Sequence, residues 1–261
     1  MRLVARRSVT AVTFSASAGE LALDRWLQIT AGGPGLLVLA GMLVSQARVL
    51  DRTVAELLGK GDLLTLSDPE SDERFLACER SWLALQPARI AILDARFTDQ
   101  ARRWPQINHA LLRRVQNRLI DLATQRGIAA QPRLDVRLLL LLWHLAGRWG
   151  KVEPGGVRVP VALTHLLLGR LVGAERPSVT HAVKRLSAAG LIKCSERGWH
   201  LRGTLGRHLS ALAVGEETEH LATSLIAPGD AGVAGDAREV GVAGGSRDAG
   251  AASPAAVSPT R

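Results

Sequence analysis

The stretch Leu163-Thr-His-Leu-Leu-Leu-Gly-Arg-Leu-Val-Gly173-Ala-Glu-Arg-Pro-Ser-Val-Thr-His-Ala-Val-Lys-Arg-Leu-Ser-Ala-Ala-Gly-Leu-Ile192 holds two short helical patterns around a glycine. Thr164 can cap the first helix, and Leu167, Leu171 and Val172 can pack inward. Gly173 permits a sharp turn between the helices. Pro177 falls in the first turn of the second helix, where a missing N–H costs nothing. Val179, Val183 and Leu186, at i, i+4 and i+7, give that helix an inward face, and Gly190 stops it. The spacing predicts helices over Thr164–Val172 and Pro177–Ala189, a helix-turn-helix. The opposite face of the second helix carries Arg176, Ser178, Thr180, His181, Lys184 and Arg185. Arg and small polar side chains at a helix N-terminus suit base edges and phosphate in a DNA major groove. The plainer alternative is a three-helix packing unit with a solvated basic face.

Outward from this stretch, Leu191–Cys194 and Trp199–Leu201 flank a turn at Glu196-Arg197-Gly198 and read as a hairpin, with Lys193 and Arg197 placed as a wing on a phosphate backbone. Upstream, Leu134–Trp149 reads as a very apolar helix and Val157–Val159 as a short strand. Together these predict a domain over residues 133–213. Before it, Leu112, Val115, Leu119 and Leu122 are spaced 3, 4, 3, the pattern of a helix seam that packs on another helix. Ile107 and Leu111 form a second stripe, arginines 113, 114, 118 and 126 fill the other faces, and Gly127 supplies a stop. A helix over residues 101–127 could therefore join two subunits or lie within one.

Residues 1–100 are short apolar stretches separated by turn residues, as in a β-sheet or barrel: Leu36–Leu39 ended by Ala40-Gly41, Val54–Leu58 ended by Gly59-Lys60-Gly61-Asp62, and Ala88–Leu93. The acidic interval 65–73 reads as a loop. Residues 215–261 are rich in small residues and predict a disordered tail.

Of 261 residues, 33 are Lys or Arg and 24 Asp or Glu, a net charge of +9 with a pI near 11.0. That balance points to a polyanionic partner without specifying a fold. Two cysteines exclude a disulfide scaffold and a four-thiolate metal site and fit a cytoplasmic protein. An Fe–S cluster in the first domain is excluded because Cys78 is its only cysteine. The seven histidines show no metal-ligand spacing, and no catalytic triad or carboxylate pair stands out, so no cofactor and no enzymatic activity are expected. The longest apolar runs fall short of the ~20 residues of a membrane helix.

The order of long helix, apolar Asp135–Ala146 helix, then Leu163-Thr164, Val172-Gly173, Arg176-Pro-Ser-Val, Leu186 and Gly190-Leu191-Ile192 resembles the Crp/Fnr family of bacterial transcription regulators. Gly35–Gly41 and Val54–Leu64 are similar to that family's sensory β-roll. The resemblance spans about residues 20–210. It implies an α+β architecture: a degenerate cyclic-nucleotide-binding-like β-roll over 1–100, a dimerisation helix and a C-terminal winged helix-turn-helix. It further implies a homodimer that reads a two-fold symmetric duplex site, with half-sites about 34 Å apart, and RNA polymerase as a further partner. By position, Arg176 and His181 match base-contacting residues, and Thr164, His165 and Ser178 match backbone-contacting ones. Pro177 stands where relatives commonly carry Glu, and His181 where they commonly carry Arg, so a different operator is expected.

The effector motif departs further. Gly61-Asp62 is not followed by the Gly-Glu phosphate turn of cyclic-nucleotide binders. Arg74 falls near the phosphate arginine but Phe75 takes the hydroxyl position, and Glu79-Arg80-Ser81 is a displaced alternative. Without that glycine the backbone N–H groups cannot close on a phosphate, so the sequence argues against cyclic-nucleotide binding. The competing functions are a cyclic-nucleotide-gated regulator and a protein–protein adaptor whose winged helix does not read DNA.

Overall fold

Two long strands, β3 (Gly35–Val49) and β6 (Glu79–Leu93), form the spine of the first half of the molecule. The computed structural model describes residues 9–23, 26, 29–30, 32–65 and 78–212. The expected acidic loop (but for Thr65), Arg74 and the expected tail lie outside them. Around the spine run β1 (Val12–Ala16), β2 (Gly19–Leu21), β4 (Arg52–Leu58) and β5 (Leu63–Leu64). The six strands make one antiparallel sheet, ordered β1-β6-β3-β4, with β2 on β6 and β5 on β3.

The expected strand end at Ala40-Gly41 is instead an irregularity inside β3. Pairing with β6 slips by a net one residue between Leu36↔Ile92 and Leu43↔Ala84. A one-residue slip exchanges the two faces of a strand. Leu36 and Val38 accordingly line the roll interior before the slip, and Leu43 after it. Met42 and Val44 then turn outward into a different core. Gly41 sits at φ +84°, and a Cβ there would lie 2.4 Å from the Pro87 carbonyl oxygen, so only glycine fits the bulge. The roll interior is packed with its own side chains, among them Leu23, Leu58, Leu64, Trp82 and Ile90.

After the sheet come α1 (Ala95–Ala101), capped by Asp94 accepting from the Phe97 N–H, and α2 (Pro105–Ala129). Gly127 does not stop α2. A Cβ there would meet nothing, and Ile128, the next residue, is buried in the main core and holds the last turn. Next are α3 (Leu134–Trp149), β7 (Lys151–Glu153), β8 (Gly156–Val159), α4 (His165–Val172), α5 (Arg176–Ala188), β9 (Ile192–Ser195), β10 (Gly198–Arg202) and α6 (Leu205–Ala211). Strands β7-β8-β10-β9 form a second antiparallel sheet.

The largest core is shared between the halves. Leu138, Leu139, Leu141, Leu142 and Leu145 of α3 pack with Leu168, Val172, Val179, Leu186 and Trp199, and the same cluster takes in Met42, Val44, Ala55 and Leu57 of the first sheet. Polar contacts cross the same seam. Gln125 Nε2 donates to the carbonyls of Ala55 at 2.7 Å and Leu171 at 3.2 Å, and Arg170 donates to Gln46.

His208 locks α6 in place. Its Nδ1 accepts from the Trp143 indole N–H at 3.1 Å, and its Nε2 meets the Arg202 carbonyl, so the ring is neutral with the proton on Nε2. Burial pushes its pKa below the ordinary imidazole value, against the pull of the Arg202 carbonyl; burial also lowers His144, against the pull of Asp121. The unfolded chain therefore takes up protons first. Stability is expected to be whole above the unfolded pKa of about 6.5 and to fall as pH drops from there towards the folded values. Thermal melts between about pH 7.5 and 5.5 test this, and a constant Tm would refute it.

Candidate nucleic-acid interface

Local sequence builds the helix pair. Thr164 Oγ1 accepts from the Leu167 N–H and starts α4. Gly173 ends it in the left-handed conformation at φ 68°, and the Ala174 N–H returns to the Gly169 carbonyl. Gly169 itself lets the helices close, because a Cβ there would lie 2.3 Å from the Ala174 carbonyl oxygen. Pro177 occupies the first turn of α5. Val179, Ala182, Val183 and Leu186 are buried, while Arg176, Ser178, His181, Lys184 and Arg185 are exposed together on the other side.

Thr180 and His165 are placed differently. His165 Nδ1 and Thr180 Oγ1 are 2.9 Å apart, and the Thr180 hydroxyl also donates to the Arg176 carbonyl. The pair ties α4 to the first turn of α5 and fixes where Arg176 starts. Thr164 is exposed, although its hydroxyl oxygen is taken up as a cap. Lys193 and Arg197 are exposed on the β9–β10 hairpin, as the sequence placed them. The tip of the β3–β4 hairpin also reaches this end of α5: Arg52 Nη1 donates to Glu175 Oε1 at 2.7 Å, in a pair open to solvent on both sides.

On α2 the four residues of the 3-4-3 spacing divide. Leu112, Leu119 and Leu122 are 56%, 60% and 37% exposed, and Ile120 beside them is 63% exposed. Val115 points to its own sheet and packs near Leu63 and Ala91 with Ile107 and Leu111. Arg118, one of the arginines on the other faces of the helix, makes a two-pronged, part-buried pair with Glu56, both bonds at 2.8 Å. Arg114 donates to the Gly61 carbonyl at 2.7 Å.

Arg80 and Ser81 are exposed at the start of β6. Ser81 lies on the opposite face of the strand from Trp82, whose side chain enters the roll interior. Among the described residues, no group of three or more His, Cys, Asp and Glu could hold a metal ion. Among them, too, no helix is long and apolar enough to cross a membrane.

Comparison with known proteins bears on this geometry. Residues 136–203 match the family model of the Crp-like helix-turn-helix domain. Among curated proteins none matches the sequence. Similar solved structures include a transcriptional regulator of the CRP/FNR family from Thermus thermophilus, with 20% identity, TM-score 0.54, and 77% of this chain and 97% of that one covered. A mutant CooA from Carboxydothermus hydrogenoformans is 16% identical, with TM-score 0.57 over 79% of this chain and 88% of that one. A cyclic nucleotide-binding domain containing protein from Listeria monocytogenes is 12% identical, with TM-score 0.58 over 76% and 90%.

Proposed function

Residues 136–203 are a Crp-like helix-turn-helix domain and the chain has the Crp/Fnr regulator fold, and from this we propose that it is a homodimeric, sequence-specific DNA-binding regulator of transcription. The observation that carries the reading is α5: one side seals the core, and the other presents Arg176, Ser178, His181, Lys184 and Arg185 to solvent. Set in a major groove, its first turn meets base edges and its basic residues meet phosphate. The exposed Leu112, Leu119, Ile120 and Leu122 of α2 supply an apolar stripe for the second copy. The roll then serves as the part that senses a signal, and the missing Gly-Glu phosphate turn after Gly61-Asp62 favours a signal other than a cyclic nucleotide.

Selection of duplexes from a random-sequence pool by the full chain, followed by footprinting, tests this. The expected product is a two-fold symmetric sequence with half-sites about 34 Å apart. A selected pool with no enriched sequence would overturn base readout. Leu119→Glu is expected to convert a dimer to a monomer in sedimentation and to abolish binding to the two-fold site, because a carboxylate in the apolar stripe would be buried unpaired. A Leu119→Glu protein that sediments as a dimer would remove the stripe from the interface.

A further inference from the structure

The second sheet has a pattern in its register that the helix-turn-helix does not use. Lys151 of β7 pairs across from Arg158 of β8, Arg158 from His200 of β10, and His200 from Lys193 of β9. Directly opposed residues share a face. One nitrogenous side chain per strand therefore forms a row across all four strands, on the side away from the core that holds Trp199, Leu201 and Ile192. At the usual strand separation the row spans about 14 Å.

Arg202 and Arg197 flank the row. Arg158, Lys193, Arg197, His200, Arg202 and Glu153 line a depression of about 540 Å³ over the same face. Glu153 accepts a hydrogen bond from Arg158 and, among the described residues, is the only carboxylate in that lining. Lys151, Lys193, Arg197 and Arg202 are exposed. Lys151 and Arg158 set like charges directly opposite each other, which costs stability, and the one bond from Arg158 to Glu153 offsets it only in part.

We propose that this outer sheet face is a second, sequence-independent contact for the phosphate backbone of duplex DNA. It begins at Lys193 and Arg197 of the hairpin and runs to Lys151 on the far edge strand. The proposal rests on the DNA-binding reading above. Charge complementarity selects the occupant. Each strand of a duplex carries one phosphate charge per ~3.4 Å of axis, so a basic row about 14 Å long meets a run of backbone phosphates. The contact reads no bases and adds to affinity and salt dependence.

The test is fluorescence anisotropy of the full chain with a random-sequence duplex of about four helical turns, across about 50–200 mM salt. The triple variant Lys151→Gln, Lys193→Gln, Arg202→Gln is compared with a control of equal charge change on the first half, Lys60→Gln, Arg89→Gln, Arg103→Gln. The row variant is expected to reduce the slope of log K against log [salt] by about 2–3 for each protomer engaged, and the control by less than about 1. Lys151→Arg with Lys193→Arg is expected to keep the wild-type slope. An unchanged slope in a row variant that melts normally, or an equal fall in the control, overturns the sheet contact and leaves α5 readout standing. Failure of the wild type to bind any duplex overturns both.

Discussion

Arg176→Ala is expected to weaken binding to the selected two-fold duplex by about 5- to 150-fold for each half-site, the ~1–3 kcal/mol of one bidentate base contact. The expectation comes from how that residue is held. Arg176 opens α5, Pro177 behind it fixes the backbone, and the Thr180 hydroxyl bonds the Arg176 carbonyl and meets the His165 ring. The side chain thus leaves from a rigid point with its guanidinium in solvent. Loss of a base reader should relax preference at one position of each half-site and change the salt slope by no more than about 1. Anisotropy with the selected duplex and a scrambled one separates these effects. Equal affinity of wild type and variant for the selected duplex would take the first turn of α5 out of the groove.

Arg148→Ala is expected to cost about 3 kcal/mol of folding stability, lowering Tm by roughly 6–12 °C. Arg148 of α3 joins three elements. It donates to Asp62 Oδ2 at 2.7 Å, lies 3.3 Å from an Asp121 carboxylate oxygen on α2, and donates to the Leu57 carbonyl of β4. All three side chains are about three-quarters or more buried, so removing the guanidinium strands two carboxylates beside each other. The loss has a pH signature. Burial already holds the Asp62 pKa above its ordinary value, while the Gly59 N–H and Arg148 pull it back. A raised carboxylate pKa means that ionisation works against the fold as pH rises past the unfolded value. Without Arg148 that opposition grows, so the deficit should be largest at neutral pH and shrink as acid protonates Asp62. Melts of both proteins over a pH series check this, and a deficit that does not change with pH would refute it.

How much of this was legible depended on how local the physics is. Helix α3 was readable from its apolar run, and α4 and α5 because a cap, a left-handed glycine and a first-turn proline each act within a few residues. Strand β7 was not, since Lys-Val-Glu has no pattern of its own and exists through pairing with β8. The stop assigned to Gly127 failed because burial of Ile128 outweighs a glycine's low helix propensity. Leu112, Val115, Leu119 and Leu122 share one spacing, yet Val115 leans on its own sheet while the other three are exposed, because what covers each turn of α2 is set by strands distant in sequence. The pairing of Arg118 with Glu56 spans 62 positions, and nothing in either neighbourhood announces it. The candidate interface was legible in its helix and hairpin, whereas the basic row on the second sheet emerges only once register is known.

The shared core around α3 has a consequence for how the protein can respond to anything. Met42, Val44, Ala55 and Leu57 are walls of the same interior that Leu142, Leu168 and Trp199 fill. Prising the β-sheet half from the helix-turn-helix half would wet that interior, which makes it a partial denaturation and not the swing of a free hinge. The two halves should accordingly melt together in one calorimetric transition. A signal strong enough to reposition α5 should also show as a change in the heat of that transition.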